Sequence, residues 1–374
     1  MATALNLVHV GLGLIGTSAI RQLQSVRDRW RTDHGIDLII RSFIDSSGGV
    51  CCDDQDGYVD ATIDRILAGR AAGAKVFHAA PSIGLTPRTA HDAVALAIDM
   101  GGPTVVLDCA TGADTAALSE RVLDAGGGAV FSNKAPLALP LVGTPAAGIW
   151  NDTGMFGRMR YETSCGAGLP VISSIQSLIA SGDEVMEISG ALSGTLGAIF
   201  AAVENGSSFS QAVFDARSRG YTEPDPRDDL SGLDVGRKAL ILARTIGMPL
   251  DLDEISIESL VPESLATCSI DQFMTDITSV DADIAARSAE ASGESRTLRY
   301  VATVNPASGV EVGMRPVDQN TILGSLQGPQ NVITIRTNRY DQYPLTIAGP
   351  GAGAEVTAAG VVADILSVAH SLKG

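Results

Sequence analysis

The first sixteen residues restrict the fold of this 374-residue chain more than any other segment. Residues 5–10 (LNLVHV) have the pattern of a short buried strand, and the glycine sequence GLGLIG (11–16) follows directly, before a helical pattern. In this strand–turn–helix context Gly11 permits a tight turn, Gly13 lets the backbone approach a pyrophosphate, and Gly16 permits close helix–strand packing. The helix N-terminus supplies N–H donors to phosphate. The pattern therefore predicts a dinucleotide site at Gly11, Gly13, Leu14, Ile15 and Gly16.

Strand and helix signals continue to alternate after this motif. Strands are predicted at residues 38–44, 76–79, 104–108 and 129–132, and helices at 62–71, 88–100 and 114–125. Such alternation is typical of an α/β fold with a doubly wound parallel sheet of the Rossmann type. The second strand ends at Asp45, an acidic residue placed to bind a ribose hydroxyl, although it lies 29 residues beyond Gly16 rather than the usual 20 or so.

The regular alternation of predicted strands and helices ends near residue 150. Beyond it, longer helical patterns are mixed with separate strand signals. We expect an inserted α+β domain that carries catalysis and dimerisation. A glycine-rich segment and an apolar helix over 356–372 then fold back onto the nucleotide-binding domain. The predicted domains are residues 1–150, 151–348 and 349–374.

Composition excludes several classes of protein. A net charge of −17 argues against a nucleic-acid partner, and the absence of about 18 uninterrupted apolar residues argues against a spanning helix and a membrane partner. The N-terminus lacks the features of a secretory signal. Five scattered cysteines without C-x-x-C spacing favour a reducing compartment, so we expect a cytoplasmic location.

Lysine is rare enough to direct attention to individual positions, since only four of the 26 basic residues are lysines. Lys134 lies at the end of a predicted sheet strand, where ligands bind in open α/β sheets. It either contacts a substrate carboxylate or hydroxyl, or is a surface lysine in a turn. Lys238 follows Asp234 by four residues and shares a helical face with it.

The segment 220–238 is the densest cluster of charge in the chain. One interpretation is a capped helix with an ion pair between Asp234 and Lys238. The other is an amino-acid site, in which Glu223 takes the ammonium group and Lys238 handles a hydroxyl proton. The segment 161–170 likewise allows two interpretations, a helix N-terminal turn or a monovalent-cation site made of carbonyls and one carboxylate.

Together the motifs resemble the homoserine dehydrogenase family along nearly the whole chain. The similar segments are GLGLIG (11–16), SNKAPLA (132–138), YETSCGAGLPVI (161–172), GDEVMEISGALSGTLGAIF (182–200), GYTEPDPRDDLSGLDVGRK (220–238) and GPGAGAEVTAAGVVADI (349–365). The resemblance implies reversible oxidation of L-homoserine to L-aspartate 4-semialdehyde with NAD or NADP, in threonine, methionine and isoleucine biosynthesis. It is closest to the short monofunctional form, without an aspartokinase or ACT domain.

The resemblance also implies roles for individual residues. Lys238 matches the proton-transfer lysine, Asp234 its partner, and Glu223 the residue that binds the substrate amino group. The substrate pocket is matched by Gly194, Thr195, Tyr221 and Asp229, and the nicotinamide region by Lys134, Gly351 and Gly353. A sodium site is matched by Glu162 and the carbonyls of Cys165, Ala167 and Leu169. The family is usually a homodimer formed through a sheet of the middle region.

Three departures from the family pattern carry expectations of their own. Cys165 replaces an aliphatic residue, which a carbonyl ligand tolerates. Ala110 interrupts the usual D-x-T/S-S pattern after Asp108, near the expected nicotinamide ribose, and Asp45 is not followed by the arginine that often accompanies NADP preference. Asp45 therefore favours NAD. Two other functions remain open at this point: a related dehydrogenase for another small amino alcohol or semialdehyde, and a non-catalytic NAD(P)-binding regulatory protein.

Overall fold

The computed structural model describes residues 2–151, 153–155 and 157–373. The chain divides into two compact units, one formed by Met1–Gly168 with Gly353–Gly374 and the other by Leu169–Ala352. Residues 151–168 thus group with the first unit, whereas the sequence analysis placed them in the middle domain. Among the residues described, no helix has both the length and the apolar character needed to cross a bilayer.

The first unit alternates strands and helices. Its strands are β1 (Thr3–Val10), β2 (Ile36–Asp45), β3 (Gly48–Cys51), β4 (Pro87–Arg88), β5 (Thr104–Asp108), β6 (Gly128–Phe131) and β7 (Met159–Arg160). Its helices are α1 (Leu14–Arg29), α2 (Asp60–Ala71), α3 (Val76–Ala79), α4 (Ala90–Asp99), α5 (Ala116–Asp124), α6 (Ala146–Trp150) and a C-terminal helix (Ala354–Ser371). Short 3₁₀ segments span Ala80–Ile83, Pro136–Ala138 and Glu162–Ser164, and a π-helical turn spans Trp30–His34.

The first unit is built on one seven-stranded sheet in the order β4-β3-β2-β1-β5-β6-β7. The five strands from β2 to β7 in this order are parallel, and β3 and β4 are added antiparallel at one edge. Leu5 and Leu7 point to the face covered by α1 and the C-terminal helix, while α4 and α5 pack on the other face. The predicted Rossmann-type sheet is confirmed.

Register determines where a ligand can bind on this sheet. Val10 pairs with Ile44 on one side and with Asp108 on the other, so the carboxyl ends of β1, β2 and β5 meet at one edge. In parallel α/β sheets this edge is where ligands bind.

Several local predictions differ from the structure. Residues 76–79, predicted as a strand, form the short helix α3, because a four-residue apolar run does not distinguish the two states. The antiparallel strands β3 and β4 were not predicted, since they are short and glycine- or proline-containing. The sequence over residues 230–246 also has a helical pattern, but the structure interrupts it at Gly232, which has a φ of 73° and is the N-cap of the helix Leu233–Thr245.

The second unit is an α+β structure, as predicted. Its strands are β8 (Val185–Ala191), β9 (Ser256–Ile257), β10 (Arg296–Asn305), β11 (Gly309–Asp318), β12 (Gln330–Thr337) and β13 (Leu345–Pro350). Its helices are α7 (Val171–Ala180), α8 (Gly194–Glu204), α9 (Phe209–Ser218), α10 (Pro226–Leu230), α11 (Leu233–Thr245), α12 (Ile270–Asp276) and α13 (Asp281–Gly293). Short 3₁₀ segments span Leu252–Glu254, Glu263–Leu265 and Ile277–Val280.

The sheet of the second unit has the order β13-β12-β8-β10-β11-β9 and is antiparallel except for the pairing of β9 with β11. Helix α11 packs on β10 and β11 and against α7. Ala239, Leu240 and Ile241 of this helix are fully buried. This packing fixes the first turns of α11, which carry Asp234 and Lys238.

Candidate active site

A cleft of about 840 Å³ opens in the first unit at the carboxyl ends of β1, β2 and β5. Gly11 lines it with a φ of 88°, and a Cβ at this position would overlap the backbone of Cys109 and Ala110. A Cβ on Gly16 would overlap the Gly11 carbonyl, whereas nothing lies within 4 Å of the Cβ position of Gly13. The glycine turn is therefore tight on its inner side and open on the side that faces the cleft.

The N-terminus of α1 borders this cleft. Gly13 is its N-cap, no side chain makes a capping hydrogen bond there, and its first turn has no acidic residue. Leu14 is exposed and Ile15 is half-buried. An uncapped helix start beside an open glycine turn offers N–H donors and a positive dipole to phosphate, so the residues present fit a dinucleotide.

His9 supports the glycine turn from beneath. Its ring is fully buried, and Nε2 lies 3.1 Å from the Gly11 carbonyl oxygen, to which a neutral imidazole donates. Burial lowers the pKa of His9 to about 4, although the hydrogen bond to Gly11 opposes the shift. The sequence analysis did not identify this residue, because an isolated histidine in a strand carries no spacing signal.

Asp45 lies at the edge of the cleft, but its carboxylate is already used within the unit. Oδ1 accepts from the Ser47 amide (2.9 Å) and hydroxyl (2.6 Å), and Oδ2 accepts from the Val76 amide (2.9 Å) and lies 3.1 Å from Arg70. Burial opposes ionisation, but the hydrogen bonds from Ser47 and Val76 outweigh it and lower the pKa of Asp45. Lys75 also lines the cleft and donates to the Ser46 hydroxyl at 2.7 Å.

Lys134 follows Asn133 at the carboxyl end of β6 and is half-buried. Asn133 is buried and bonds to the loop after β5, donating from Nδ2 to the Gly112 carbonyl at 2.7 Å. Ala110 lacks the hydroxyl that the family resemblance led us to expect. The Asp108 carboxylate instead accepts from the Thr115 hydroxyl at 2.6 Å. Neither Asn133 nor Thr115 could be assigned a role from the sequence, since the partners of Asn133 lie 21 and 25 residues away and no motif marks Thr115.

In the second unit, Lys238 and Asp234 form the ion pair that their spacing predicted, with Nζ and Oδ2 2.9 Å apart. The Lys238 side chain is only 12% exposed, whereas Asp234 is 46% exposed. Nζ also donates to the carbonyl of Leu192 at 2.6 Å, in the turn between β8 and α8. The ammonium group is thus held between a carboxylate and a carbonyl at the edge of the core.

The loop after α9 brings four of the expected substrate residues together. Asp229 accepts the Glu223 amide N–H at 2.8 Å, and the Thr195 hydroxyl donates to the Tyr221 carbonyl at 2.6 Å. Burial raises the pKa of Asp229, and repulsion from Glu223 and Asp234 adds to the shift. A Cβ on Gly194 would crowd the Pro329 carbonyl, so this helix start requires glycine.

Arg227 anchors this loop and was not singled out from the sequence. Its guanidinium pairs with Asp225 at 2.6 Å and donates to the carbonyls of Leu265, Ala266 and Cys268. The three carbonyls lie about forty residues further along the chain, so no local pattern revealed them. The contacts fix the Glu223–Asp229 turn on the body of the second unit.

Two glycines near the end of the chain have different surroundings. The Asn331 side chain, fully buried, occupies the space that a Cβ on Gly351 would need. Asn331 Nδ2 lies 3.5 Å from the same Leu192 carbonyl that accepts from Lys238. Gly353, with a φ of 138°, is the N-cap of the C-terminal helix in the first unit.

The residues expected to hold sodium are divided between the units. Glu162, Cys165 and Ala167 belong to the first unit and are buried, and Ala167 has a φ of 54°. The Glu162 amide donates to Asp364 at 2.9 Å. Leu169 begins the second unit, and its carbonyl accepts from the Val171 amide at 2.8 Å. No group of three His, Cys, Asp or Glu side chains within the described ranges is arranged to hold a metal ion.

Comparison with known proteins identifies the family. The profile described as homoserine dehydrogenase matches residues 170–366, just over half of the chain. The homoserine dehydrogenase of Saccharomyces cerevisiae is 37% identical over 277 residues, which cover 72% of this chain and 76% of the yeast protein. The chain belongs to the homoserine dehydrogenase family. The family predicted from the motifs is confirmed.

Other relatives of this homoserine dehydrogenase family member are much longer. A bifunctional chloroplastic aspartokinase/homoserine dehydrogenase of Zea mays is 46% identical over 214 residues, 57% of this chain and 23% of the plant protein. The chain thus spans about a quarter of the length of the plant relatives that it matches.

Solved structures share the fold over the whole chain. A Candida auris protein of unknown function has a TM-score of 0.85 and 29% identity, with 99% of both chains covered. A hyperthermophilic archaeal homoserine dehydrogenase in complex with NADPH has a TM-score of 0.71 and 21% identity, with 99% of this chain and 98% of that chain covered. At this identity the archaeal protein supports the fold alone.

Proposed function

We propose that the chain catalyses the NAD(P)-dependent interconversion of L-homoserine and L-aspartate 4-semialdehyde. The observation that carries the proposal is the Lys238 ammonium, held 2.9 Å from Asp234 and 2.6 Å from the Leu192 carbonyl in a homoserine dehydrogenase family member. A nearly buried amine on the helix that follows the loop of Glu223 and Asp229 supports the proposal.

Lys238 is the proton-transfer group in this account. The Asp234 carboxylate and the Leu192 carbonyl hold its ammonium group in place, and in the reductive direction this group donates a proton to the developing alkoxide. In the oxidative direction it accepts the hydroxyl proton once it is deprotonated. The nicotinamide, when bound, supplies or takes up the reducing equivalent.

The loop after α9 binds the amino-acid part of the substrate. Glu223 binds the substrate ammonium group, and Asp229 fixes the main chain of Glu223. Thr195 ties Tyr221 to the start of α8, beside Gly194. Positioning of the substrate by these residues contributes more to catalysis than proton transfer alone does.

The cofactor is held by the first unit, with its pyrophosphate at Gly11–Gly16 and the N-terminus of α1. We propose that the enzyme prefers NADP, contrary to the preference for NAD expected from Asp45. The Asp45 carboxylate is saturated by Ser47, Val76 and Arg70, whereas Lys75 offers a cationic group at the same rim of the cleft. A 2′-phosphate pairs with cations and is repelled by a free carboxylate.

A monovalent cation is proposed in the first unit, at Glu162 and the carbonyls of Cys165 and Ala167. The support comes from two buried carboxyl groups in the first unit, Glu162 and Asp364. Burial first, and then repulsion from Glu162, raises the pKa of Asp364 to about 8, while the nearby Arg160 opposes the shift. Isothermal titration with NaCl, compared between parent and Glu162→Gln, measures cation binding directly.

A homodimer in the cytoplasm is proposed from the family resemblance. The second unit supports it with a row of small, half-buried hydroxyl side chains across three strands, Ser189, Thr303 and Thr334, continued by Thr346. Such a flat row suits packing of one sheet on another. Light scattering behind a sizing column measures the mass, and a monomer at micromolar concentration contradicts the proposal.

The experiment that tests the function is a side-by-side assay at 340 nm with L-homoserine and either NAD⁺ or NADP⁺. Turnover with a higher kcat/KM for NADP⁺ is expected. Protein that binds a cofactor by fluorescence, yet turns over neither L-homoserine nor L-aspartate 4-semialdehyde, would overturn the proposal.

A further inference from the structure

Three buried polar side chains meet where β5 and β6 end, and the proposed reaction gives none of them a role. Asp108 is fully buried, and Asn133 and Thr115 are nearly so. All three belong to the first unit, and Thr115 lines the cofactor cleft. Burying a polar side chain lowers the stability of the folded state unless the side chain is hydrogen-bonded, so the hydrogen bonds of these three residues show what holds them in place.

Asp108 is the centre of this group. Its carboxylate accepts from the Ala110 amide (2.9 Å), the Thr115 hydroxyl (2.6 Å) and Asn133 Nδ2 (3.2 Å). Burial raises the pKa of Asp108 to about 6, and the hydrogen bonds from Thr115, Ala110 and Asn133 oppose the shift. The carboxylate thereby holds two loops that are 25 residues apart in the sequence.

Asn133 connects the loop that carries Lys134 to the loop after β5, and it also bonds to the residue that follows Lys134. Its Nδ2 donates to the Gly112 carbonyl at 2.7 Å, and its Oδ1 accepts the Ala135 amide at 3.1 Å. Its own amide donates to the Asp108 carbonyl at 3.1 Å. The main chain on each side of Lys134 is therefore fixed relative to Gly112, which lines the cofactor cleft.

We propose that Asn133, oriented by Asp108 and Thr115, is a positioning residue that sets Lys134 relative to the cofactor cleft. The proposal rests on the proposed function, because Lys134 has a task only if a nicotinamide cofactor binds and reacts beside it, as the family resemblance implies. Asn133 acts through Lys134 and the Gly112 loop and does not touch the reacting atoms. A displacement of about 1 Å at such a group costs about 10²-fold in rate.

The first test compares two substitutions of Thr115. Thr115→Val keeps the size of the side chain but removes its hydroxyl, and Thr115→Ser keeps the hydroxyl. We expect Thr115→Val to lower kcat/KM at least tenfold and Thr115→Ser to stay within about threefold of the parent, since the hydroxyl of Thr115, and not its methyl group, donates to Asp108. Equal losses in both variants would overturn the role given to the hydroxyl.

The second test is a double-mutant cycle of Asn133→Ala and Lys134→Ala, measured on kcat/KM and on the dissociation constant of NADPH by fluorescence. If Asn133 acts through Lys134, its substitution costs about 10²-fold in kcat/KM in the parent but less than about threefold in the Lys134→Ala background. Multiplicative losses would overturn the proposal. Asn133→Ser, which retains one donor, provides a folded variant if Asn133→Ala is unstable.

The two readouts separate this proposal from the proposed function. If the parent binds NADPH but does not turn over L-homoserine, the proposed function fails, and the cycle on the dissociation constant still decides the positioning role. In that case we expect Asn133→Ala to weaken NADPH binding about tenfold in the parent and not in the Lys134→Ala background. An equal loss in both backgrounds would overturn the role of Asn133.

Discussion

The candidate site of the first unit consists mainly of main-chain groups, whereas that of the second unit consists mainly of charged side chains. In the first unit the cleft is formed by main chain, with glycines that allow tight turns and a helix N-terminus, while polar side chains such as Asp45 are used internally. In the second unit the site is formed by charged side chains, above all Lys238 and Asp234. The main-chain site tolerates little change in shape, and the side-chain site tolerates little change in charge.

The largest expected effect comes from filling the glycine turn. Gly11→Ala requires a Cβ that overlaps the backbone of Cys109 and Ala110 at a φ of 88°, so we expect loss of cofactor binding and a lower melting temperature. Gly13→Ala meets nothing within 4 Å and should keep the melting temperature while weakening NADPH binding. Calorimetry and fluorescence titration measure both. A stable Gly11→Ala variant with parental affinity contradicts the account.

The second effect tests the charge of the substrate loop. Glu223→Gln should raise the KM for L-homoserine about 10- to 100-fold, the range for a hydrogen bond between charged groups, and leave NADPH affinity unchanged. Asp228→Asn changes a neighbouring exposed carboxylate and serves as the matched control. If both variants raise KM equally, the loop acts through its overall charge and Glu223 has no specific role.

The third effect concerns pH and the first unit. His9 has a folded pKa of about 4 and an unfolded value of 6.5, so both states are neutral above pH 7 and only the unfolded state gains a proton between pH 6.5 and 4. Lowering the pH from 7 to 5 should therefore reduce the free energy of unfolding by about 2 kcal/mol through this group. Urea denaturation at pH 7 and pH 5 measures the free energy of unfolding of the parent and of His9→Val. The free energy should fall less between these pH values in His9→Val than in the parent. His78→Gln, at an exposed histidine, should match the parent.

The smallest expected effect concerns cofactor choice. Lys75→Ala should lower kcat/KM for NADP⁺ about tenfold and leave that for NAD⁺ unchanged, since only the 2′-phosphate gains from the ammonium group. Lys373→Ala removes a lysine that binds the His34 and Gly35 carbonyls instead, and serves as the control. If the ratio of kcat/KM for NADP⁺ to that for NAD⁺ is unchanged in Lys75→Ala, Lys75 does not determine the cofactor preference.

The same contrast explains what could be predicted from the sequence. The glycine turn was predictable because each glycine answers a local requirement of the backbone, and the sheet followed from the alternation of strands and helices. The pairing of Asp234 with Lys238 was predictable because a helix brings residues four apart together. The family resemblance supplied the substrate loop, which no periodicity reveals.

Hydrogen-bond partners that lie far apart in the sequence could not be predicted. The Leu192 carbonyl lies 46 residues before Lys238, and the amide of Val76 lies 31 residues after Asp45. Sequence spacing alone does not predict which loops meet, so Asp45 looked available to a ribose although its carboxylate is saturated. The short helix at 76–79 was mistaken for a strand, and it is this helix whose first amide binds Asp45.

The central claim is that Lys238 transfers the proton while the glycine turn of the first unit holds the pyrophosphate of the cofactor. The most direct measurement is kcat together with the NADPH dissociation constant in Lys238→Ala. We predict a kcat lower by about 10²- to 10⁴-fold, the range for acid–base groups, with parental NADPH affinity. A variant with near-parental kcat, or one that loses NADPH affinity and turnover together, would contradict the account.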